Sequence, residues 1–308
     1  MYHFILNPAA SSGKGMQMWK KIEPVLQEEH VEYAAHVFKS SDETSEFIKD
    51  MTSVGKDACH FVILGGDGTI NTVLNGIEDF SNTKISCIRT GSGNDFARNV
   101  GICKNPKKAL QHLLHTPKQM CLDYGEACYT IQNKKVVRRF AISNGVGYDA
   151  DICEEVSRSK LKKVLNRIKL GKLVYVLIGI KQIFTRKNEM AKITMDDASV
   201  MEIPGLFFVV GMIHEKEGGG VPFCPNADAT DGLFDVCIVR NMPKFKLLLA
   251  VVLVYLKQHL CFKKITVHRC KKMVIQTDAP QWFHLDGDTS EQISEITLTC
   301  HSGLQFVK

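Results

Sequence analysis

The sequence predicts an alternating α/β domain followed by an antiparallel β domain. Two observations carry the prediction. Strand-like apolar runs and helical patterns alternate over the first ~120 residues; after "KQMCLDYGEA" short β-like runs succeed one another with two helical insertions. A length of 308 residues is long for one core, so two domains are expected, at 1–122 and 123–301. The sequence leaves open whether 302–308 return to the first.

In the first domain "YHFIL" reads as a strand and "NPAASSGKG" as its loop. A helical stretch interrupted by Pro24 follows, then strand "YAAHVF". Ser40 and Glu43 stand at capping-box spacing before a helix from about Asp42. "HFVIL" is apolar and partly β-branched, as a buried parallel strand requires. Thr69 then begins "TINTVLNGI", with Ile70, Val73, Leu74 and Ile77 at helical spacing. "KISCI" is the next strand. In the second domain "VVRRFAIS", "AKITMD", "GLFFVVGMI", "LFDVCIVR", "KITVHR", "KKMVIQT" and "EITLTC" are the β-like runs. The chain shows no internal repeat and no low-complexity segment.

Hydrophobic residues make up 44% and charged residues 23%, an ordinary globular composition that argues against disorder. The net charge of +6 is mild but uneven: Arg158 to Lys187 holds ten Lys or Arg and no Asp or Glu. That tract points to an acidic partner at one face. The 11 cysteines are odd in number and contain no CxxC pair, and the start "MYHFILNPAA" is strand-like. A cytoplasmic protein with reduced, mostly buried thiols and no structural zinc is expected. "LLLAVVLVYL" has ten residues against the roughly 20 that span a bilayer, so no transmembrane helix is expected.

The chemistry concentrates in loops. In "LGGDGTIN" the glycines Gly65, Gly66 and Gly68 leave a strand and enter a helix, which suits either close packing or an anion cradle of backbone amides at a helix start. Asp67 inside such a cradle calls for a divalent cation or a sugar hydroxyl, which tilts the guest towards a nucleotide with Mg²⁺. "TGSGNDF" follows the next strand, at the same carboxyl end of the sheet, and brings Ser92, Asn94 and Asp95 to the candidate site. "NPAASSGKG" is not a Walker loop, because Pro8 and Gly15 stand where Gly and Ser or Thr are required. Asn7, Ser11 and Ser12 remain as nucleotide contacts.

"GGDGTINTVLNGI" with "TGSGNDFAR" some twenty residues on resembles the diacylglycerol kinase-like catalytic domain, closest in pattern to the soluble bacterial lipid kinases of the diacylglycerol and sphingosine kinase superfamily. NAD kinases and phosphofructokinases share the first loop but not the second. "NPAASSGKG", "SNGVGYDADI", "GGGVPFCPNADATDGLFDV" and "HLDGD" are similar to further family motifs, in the same order. The resemblance implies an N-terminal nucleotide domain of the NAD kinase/phosphofructokinase type and a C-terminal antiparallel β-sandwich for the lipid substrate. It also implies ATP, Mg²⁺ and phosphorylation of a lipid hydroxyl. Gly65 to Thr69 and Asn71 would hold phosphates, Asp67 would organise the metal or nucleotide, and Ser92 would add a contact where the family commonly has Thr. A second Mg²⁺ would sit at "DATDGL", on the Asp231 carboxylate and the backbone carbonyls of Asp228 and Leu233; the same residues also read as a plain Asp-Gly hairpin turn.

The catalytic turn departs from the family. Asp-Gly-Glu is usual, and here Asp288 follows Asp286 and Gly287, one methylene short. A carboxylate can still accept a hydroxyl proton late in phosphoryl transfer. "GMIHEKEGGG" also departs, with His214 and Glu215 where an Asn-Gly pair is common. Diacylglycerol is the expected substrate, with a sphingoid base, ceramide, a polyprenol or a soluble hydroxyl compound as alternatives, and a catalytically weak binding homologue as the rival reading.

A lipid partner raises the question of the membrane. The basic tract with Leu173, Val176, Leu177 and Ile180 on one helix face fits transient peripheral contact with an anionic surface, or a solvated helix packed on the sandwich. Residues 244–264 read as a buried core helix or as the lining of an acyl-chain pocket. A nucleic-acid partner is not expected, since no RNP-like aromatic motif is present. A homodimer is left open.

Overall fold

The structure, a computed structural model, describes residues 1–8, 14–90, 93–159, 171–198 and 200–308, with the side chains of 14, 171–173 and 290 excepted. Ser11, Ser12 and Ser92 and the tract 160–170 therefore lie outside the described residues. Two compact units emerge, Met1–Tyr124 with Ser302–Lys308, and Gly125–His301.

The first unit alternates as its sequence predicts: β1 (Tyr2–Leu6), α1 (Lys14–Glu28), β2 (Tyr33–Val37), α2 (Ser41–Met51), β3 (Cys59–Gly65), α3 (Asp67–Gly76), β4 (Thr83–Arg89), α4 (Asp95–Asn99) and α5 (Pro106–His115). The strands pair in parallel, with β3 between β1 and β4 and β2 beyond β1. Gln305 and Phe306 pair in parallel with Lys84 and Ile85 on the other flank of β4. Phe61, Val62, Ile63 and Leu64 are all buried, as expected of a strand covered on both faces.

Three local details differ from expectation. α1 runs unbroken through Pro24, which faces solvent, so the Lys20 carbonyl that loses its amide partner can be hydrated. Ser40 caps α2 by accepting the Glu43 N–H at 3.1 Å, but the Glu43 carboxylate reaches Lys39 N–H at 3.0 Å, one residue beyond the usual box. α3 begins at Asp67, with Gly66 as its N-cap, two residues before the expected Thr69.

The second unit is built from antiparallel strands: β5 (Gln119–Ile131) from Gly125 on, β6 (Lys134–Phe140), β7 (Ser143–Gly147), β8 (Glu189–Met195), β9 (Met201–Met212), β10 (Phe234–Arg240), β11 (Ile265–Cys270), β12 (Lys272–Leu285) and β13 (Asp288–Val307) up to His301. β9 and β12 each serve two layers. Their early halves pair with β8, and their later halves with β7. β12 changes register between Gln276 and Gln281, around Pro280, and β9 turns at Gly205, whose φ is +70°. A Cβ on Gly205 would meet Asn241 Oδ1 at 1.9 Å, so the bend is reserved for glycine. Between the layers lies a core that includes Phe140, Phe234, Phe283, Leu298, Val209 and Ile275.

The helices of this unit are α6 (Tyr148–Arg158), α7 (Gly171–Thr185), α8 (Lys244–Tyr255) and a 3₁₀ turn (His259–Cys261). Among the described residues no helix is long and apolar enough to cross a membrane. Of the readings for 244–264, the buried core helix holds for one face: Leu247, Ala250 and Val254 are buried, whereas Phe245, Leu249, Val252, Tyr255 and Leu256 are exposed. Sequence hydrophobicity alone cannot tell these faces apart, because α8 is apolar all round.

Candidate active site

The two glycine loops leave the parallel sheet side by side because β3 and β4 are in register, Leu64 against Ile88 and Gly65 against Arg89. The Thr90 N–H donates to Gly65 O at 3.2 Å and ties the loop starts together. Gly65 is required by packing, since a Cβ there would lie 2.4 Å from the Thr69 Cβ. Gly68 is different: a Cβ would meet nothing within 4 Å, so open space faces the first turn of α3. Thr69 and Ile70 donate to Gly66 O. The Asp67 and Gly68 amides stand at the helix start, where no earlier turn supplies an acceptor, and the dipole favours an anion.

Asp67 has a use that sequence reasoning missed. Its Oδ2 accepts the Asp95 N–H and its Oδ1 the Phe96 N–H, each at 3.1 Å. The carboxylate of the first loop thus caps the first turn of α4 in the second. The assumption that Asp67 needs a metal or a sugar hydroxyl is corrected to this extent; each oxygen keeps a second lone pair, so a cation still fits beside it. A Cβ on Gly93 would come within 3.1 Å of Asp67 Oδ2, which explains that glycine as well. Asn94, buried and left-handed at φ +53°, turns the chain into α4, and Asp95 pairs with Arg98 at 3.3 Å. Asn71 Oδ1 accepts from Asn75 at 3.1 Å. Asn7 follows β1, and its carbonyl lies 2.6 Å from where a Cβ of Gly15 would be.

In the second unit the expected catalytic turn is a two-residue hairpin. Leu285 pairs with Asp288, and Asp286 and Gly287 both have positive φ, +53° and +82°, the conformation that Asp-Gly favours. The Asp286 carboxylate is an anchor: Oδ2 accepts the Ala141 N–H at 2.8 Å, and Oδ1 accepts those of Ile142 at 2.7 Å and Ser143 at 3.2 Å. Its amide donates in turn to Ser143 O at 2.9 Å. Asp288 is exposed, and its Oδ2 accepts from Arg138 Nη2 at 2.9 Å. The reading of Asp286 as a reacting carboxylate is therefore replaced by a positioning role, while Asp288 is presented to solvent.

Behind this turn lies a buried cluster that sequence reasoning did not single out: Asp149, Glu217 and His284, with ligand atoms all within 4.8 Å of one another. His284 Nε2 lies 2.9 Å from Asp149 Oδ2, and Ser143 Oγ donates to Glu217 Oε2. Burial alone would strip the imidazole of charge. The charge and hydrogen bond of Asp149, with Glu217 and Asp286 behind them, outweigh it and lift His284 to about 9. The Gly287 N–H contact to Nδ1 at 3.2 Å pulls the other way, since it suits a ring protonated only at Nε2. A metal here would have to displace the proton shared with Asp149. In the "GMIHEKEGGG" loop it is Glu217 that turns inward; Glu215 pairs with Lys257 at 2.5 Å, and burial pushes His214 down to about 4. The signals were present in "GYDAD" and "HLDGD", but nothing local pairs residues 135 apart.

Gly145 makes room for the pair. A Cβ there would fall 1.9 Å from Asp149 Oδ2 and 2.6 Å from His284 Nε2. Gly145→Ala is expected to destabilise the protein by about 1–3 kcal/mol in urea unfolding, as an overpacked core does; unchanged stability would mean that the pair does not occupy this space.

The turn expected to hold a second Mg²⁺ is charge-balanced by the protein. Asp231 Oδ2 pairs with Arg269, and its Oδ1 accepts the Leu233 N–H at 3.0 Å. Asp228 Oδ1 accepts from Thr230 N–H and Oγ1 at 3.0 and 2.7 Å. Arg269 also reaches buried Asp235 at 3.7 Å. Asp231 is thus neutralised by Arg269, a guanidinium that a divalent ion bound at Asp228, Asp231 and Leu233 would have to displace.

Comparison with known proteins gives the same two-part reading. Residues 1–124 match the family described as diacylglycerol kinase catalytic domain, and 143–302 the YegS C-terminal NAD kinase beta sandwich-like domain. The chain is 26% identical over 288 residues to "Putative lipid kinase YtlR" of Bacillus subtilis (strain 168), covering 93% of each. It is 24% identical over 291 residues to the "Diacylglycerol kinase" of the same organism, covering 92% of this chain and 88% of that one. Among solved structures it is similar to "a putative diacylglycerol kinase from Bacillus anthracis str. Sterne", with a TM-score of 0.74 at 22% identity over 99% and 94% of the two chains. Yeast NADH kinase shares the fold more distantly, with a TM-score of 0.51 at 10% identity over 100% of this chain and 83% of that one.

Proposed function

The chain belongs to the diacylglycerol kinase family, and from that premise we propose that it is an ATP- and Mg²⁺-dependent kinase that phosphorylates a lipid hydroxyl, diacylglycerol first among the candidates. The observation that carries the reading is the Asp67 latch, which ties the second glycine loop to the first in one edge, with open space at Gly68 in the first turn of α3. Such an edge suits the phosphates of ATP. When bound, Mg²⁺ supplies charge neutralisation on the transferring phosphoryl group.

The chain's own residues supply position and a proton acceptor. The first-turn amides of α3 hold the phosphates, and Asp67 keeps the second loop beside them. Asp288 takes the hydroxyl proton as the lipid oxygen bonds to the γ-phosphorus of ATP and the bond from that phosphorus to the β,γ-bridging oxygen breaks, releasing ADP. Arg138 holds that carboxylate in place, and Asp286 holds the turn. The enzyme works from the cytoplasm as a peripheral visitor to the membrane.

A second reading, a weakly catalytic binding homologue, is favoured by Asp288 alone, whose side chain is one methylene shorter than glutamate. The test is label transfer from γ-labelled ATP to diacylglycerol in detergent micelles. Transfer that vanishes with EDTA and falls about 10²-fold in Asp288→Ala is expected, with Asp288→Glu active. ATP binding without any transfer by the wild type would favour the second reading.

A further inference from the structure

α7 and α8 each bury one stripe and leave another apolar stripe uncovered. On α8 the buried residues are Leu247, Ala250 and Val254. Phe245, Leu249, Val252 and Leu256 recur at helical spacing on the opposite side and are 68%, 49%, 59% and 61% exposed. On α7, Val176, Leu177, Ile180 and Phe184 are exposed while Val174, Ile178 and Ile183 are buried. The helices are neighbours: Lys244 Nζ donates to Phe184 O and lies 5.8 Å over its ring. Two adjoining apolar stripes of this kind exceed the scattered single hydrophobics of an ordinary surface.

Within the sequence, residues 158–187 and 244–264 hold ten and five Lys or Arg and not one Asp or Glu. Much of the described charge is used internally. Arg186 is buried against Asp151, Phe207 O and Gln281, Lys181 pairs with Glu155 at 2.5 Å, Arg158 pairs with Glu154, Lys257 pairs with Glu215, and Lys244 is held by Phe184. Lys187, Lys246, Lys263 and Lys264 are exposed at the ends of the two helices or just beyond them.

We infer that the α7–α8 face is a docking surface for an anionic lipid bilayer, with Phe245, Leu249, Val252 and Leu256 entering the interface and the flanking lysines meeting the headgroups. Apolar area flanked by basic charge is the combination that binds anionic interfaces. A second copy of the chain is the weaker occupant, because a two-fold contact would set the exposed lysines at the helix ends, Lys187, Lys246, Lys263 and Lys264, near their own copies. The inference deepens the lipid-kinase reading and rests on it only for the reason to visit a bilayer.

The test is co-sedimentation of the full chain with vesicles of phosphatidylglycerol and phosphatidylcholine, or of phosphatidylcholine alone, across a salt series. Wild type is expected to bind the anionic vesicles at least about tenfold better, with binding falling as salt rises. Leu249→Ser with Val252→Ser is expected to weaken binding at least about tenfold at an unchanged melting temperature. Lys244→Glu with Lys246→Glu, which leaves the apolar stripe in place, is expected to remove the salt dependence. Equal binding by wild type and the serine variant, no preference for anionic vesicles, or a concentration-dependent dimer abolished by the serine variant would each overturn the inference. Phosphate transfer to a short-chain diacylglycerol in solution is measured in parallel: vesicle binding without transfer would retain the docking surface and remove the kinase reading, and transfer without binding would do the reverse.

Discussion

Asp286→Ala is expected to lower the stability of the protein by about 3 kcal/mol or more. Its carboxylate accepts three backbone N–H groups, those of Ala141, Ile142 and Ser143, and all three residues are buried. Removal leaves three donors without an acceptor, at about 1–3 kcal/mol each before local relaxation. The turn itself would survive less well, because Asp tolerates the left-handed φ of +53° and alanine does not. Asp286→Asn keeps that tolerance and one acceptor oxygen, so it should fall between. Urea unfolding followed by circular dichroism reads both variants; a loss below about 1 kcal/mol in the alanine variant would show that the anchor is not formed. Phosphate transfer should fall with it, since Asp288 stands two residues on and inherits its position from the turn.

Asp67→Ala is expected to cost about 10²-fold or more in phosphate transfer with a much smaller change in melting temperature. The reason lies in what the carboxylate joins. Without it the amides of Asp95 and Phe96 lose their cap, and the second glycine loop is no longer held to the first. Two amides are freed rather than the three that Asp286 holds, and no left-handed residue is replaced, so the stability loss is smaller than in Asp286→Ala. Asp67→Asn has a single acceptor oxygen and should retain one of the two bonds, with intermediate activity. Calorimetric ATP binding separates the roles: weaker binding in step with slower transfer is expected, and full ATP affinity with no transfer would assign Asp67 to the chemical step instead.

Much of the first unit was legible because its signals are local. Alternating apolar runs, Ser40 three residues before Glu43, and glycines at a strand-to-helix junction act within a few residues of one another. Even so, α4 and α5 were not read. α4 is five residues long, too short for periodicity, and owes its first turn partly to Asp67 from another loop. In the second unit the β-like runs were legible. The division of β9 and β12 between two layers was not, since it depends on which strands pair with each half.

The candidate site divides the same way. Residue type and spacing picked out Asp67, and the family resemblance Asp286 and Asp288, but neither says which groups each carboxylate holds. Asp67 caps a helix turn 28 and 29 residues away, and Asp286 holds amides 143 to 145 residues away. Asp149 and His284, 135 apart, meet only because β7 and β12 pair and Gly145 leaves them space. Arg269 likewise reaches Asp231 from 38 residues away in sequence.

By itself the sequence determined the alternation of the first unit, the β-like runs of the second and the two glycine loops, because backbone permissiveness and apolar periodicity are properties of neighbouring residues. Only the tertiary structure decided which charge each carboxylate answers and which helix faces stay bare, because those depend on partners that strand pairing brings together from distant parts of the chain.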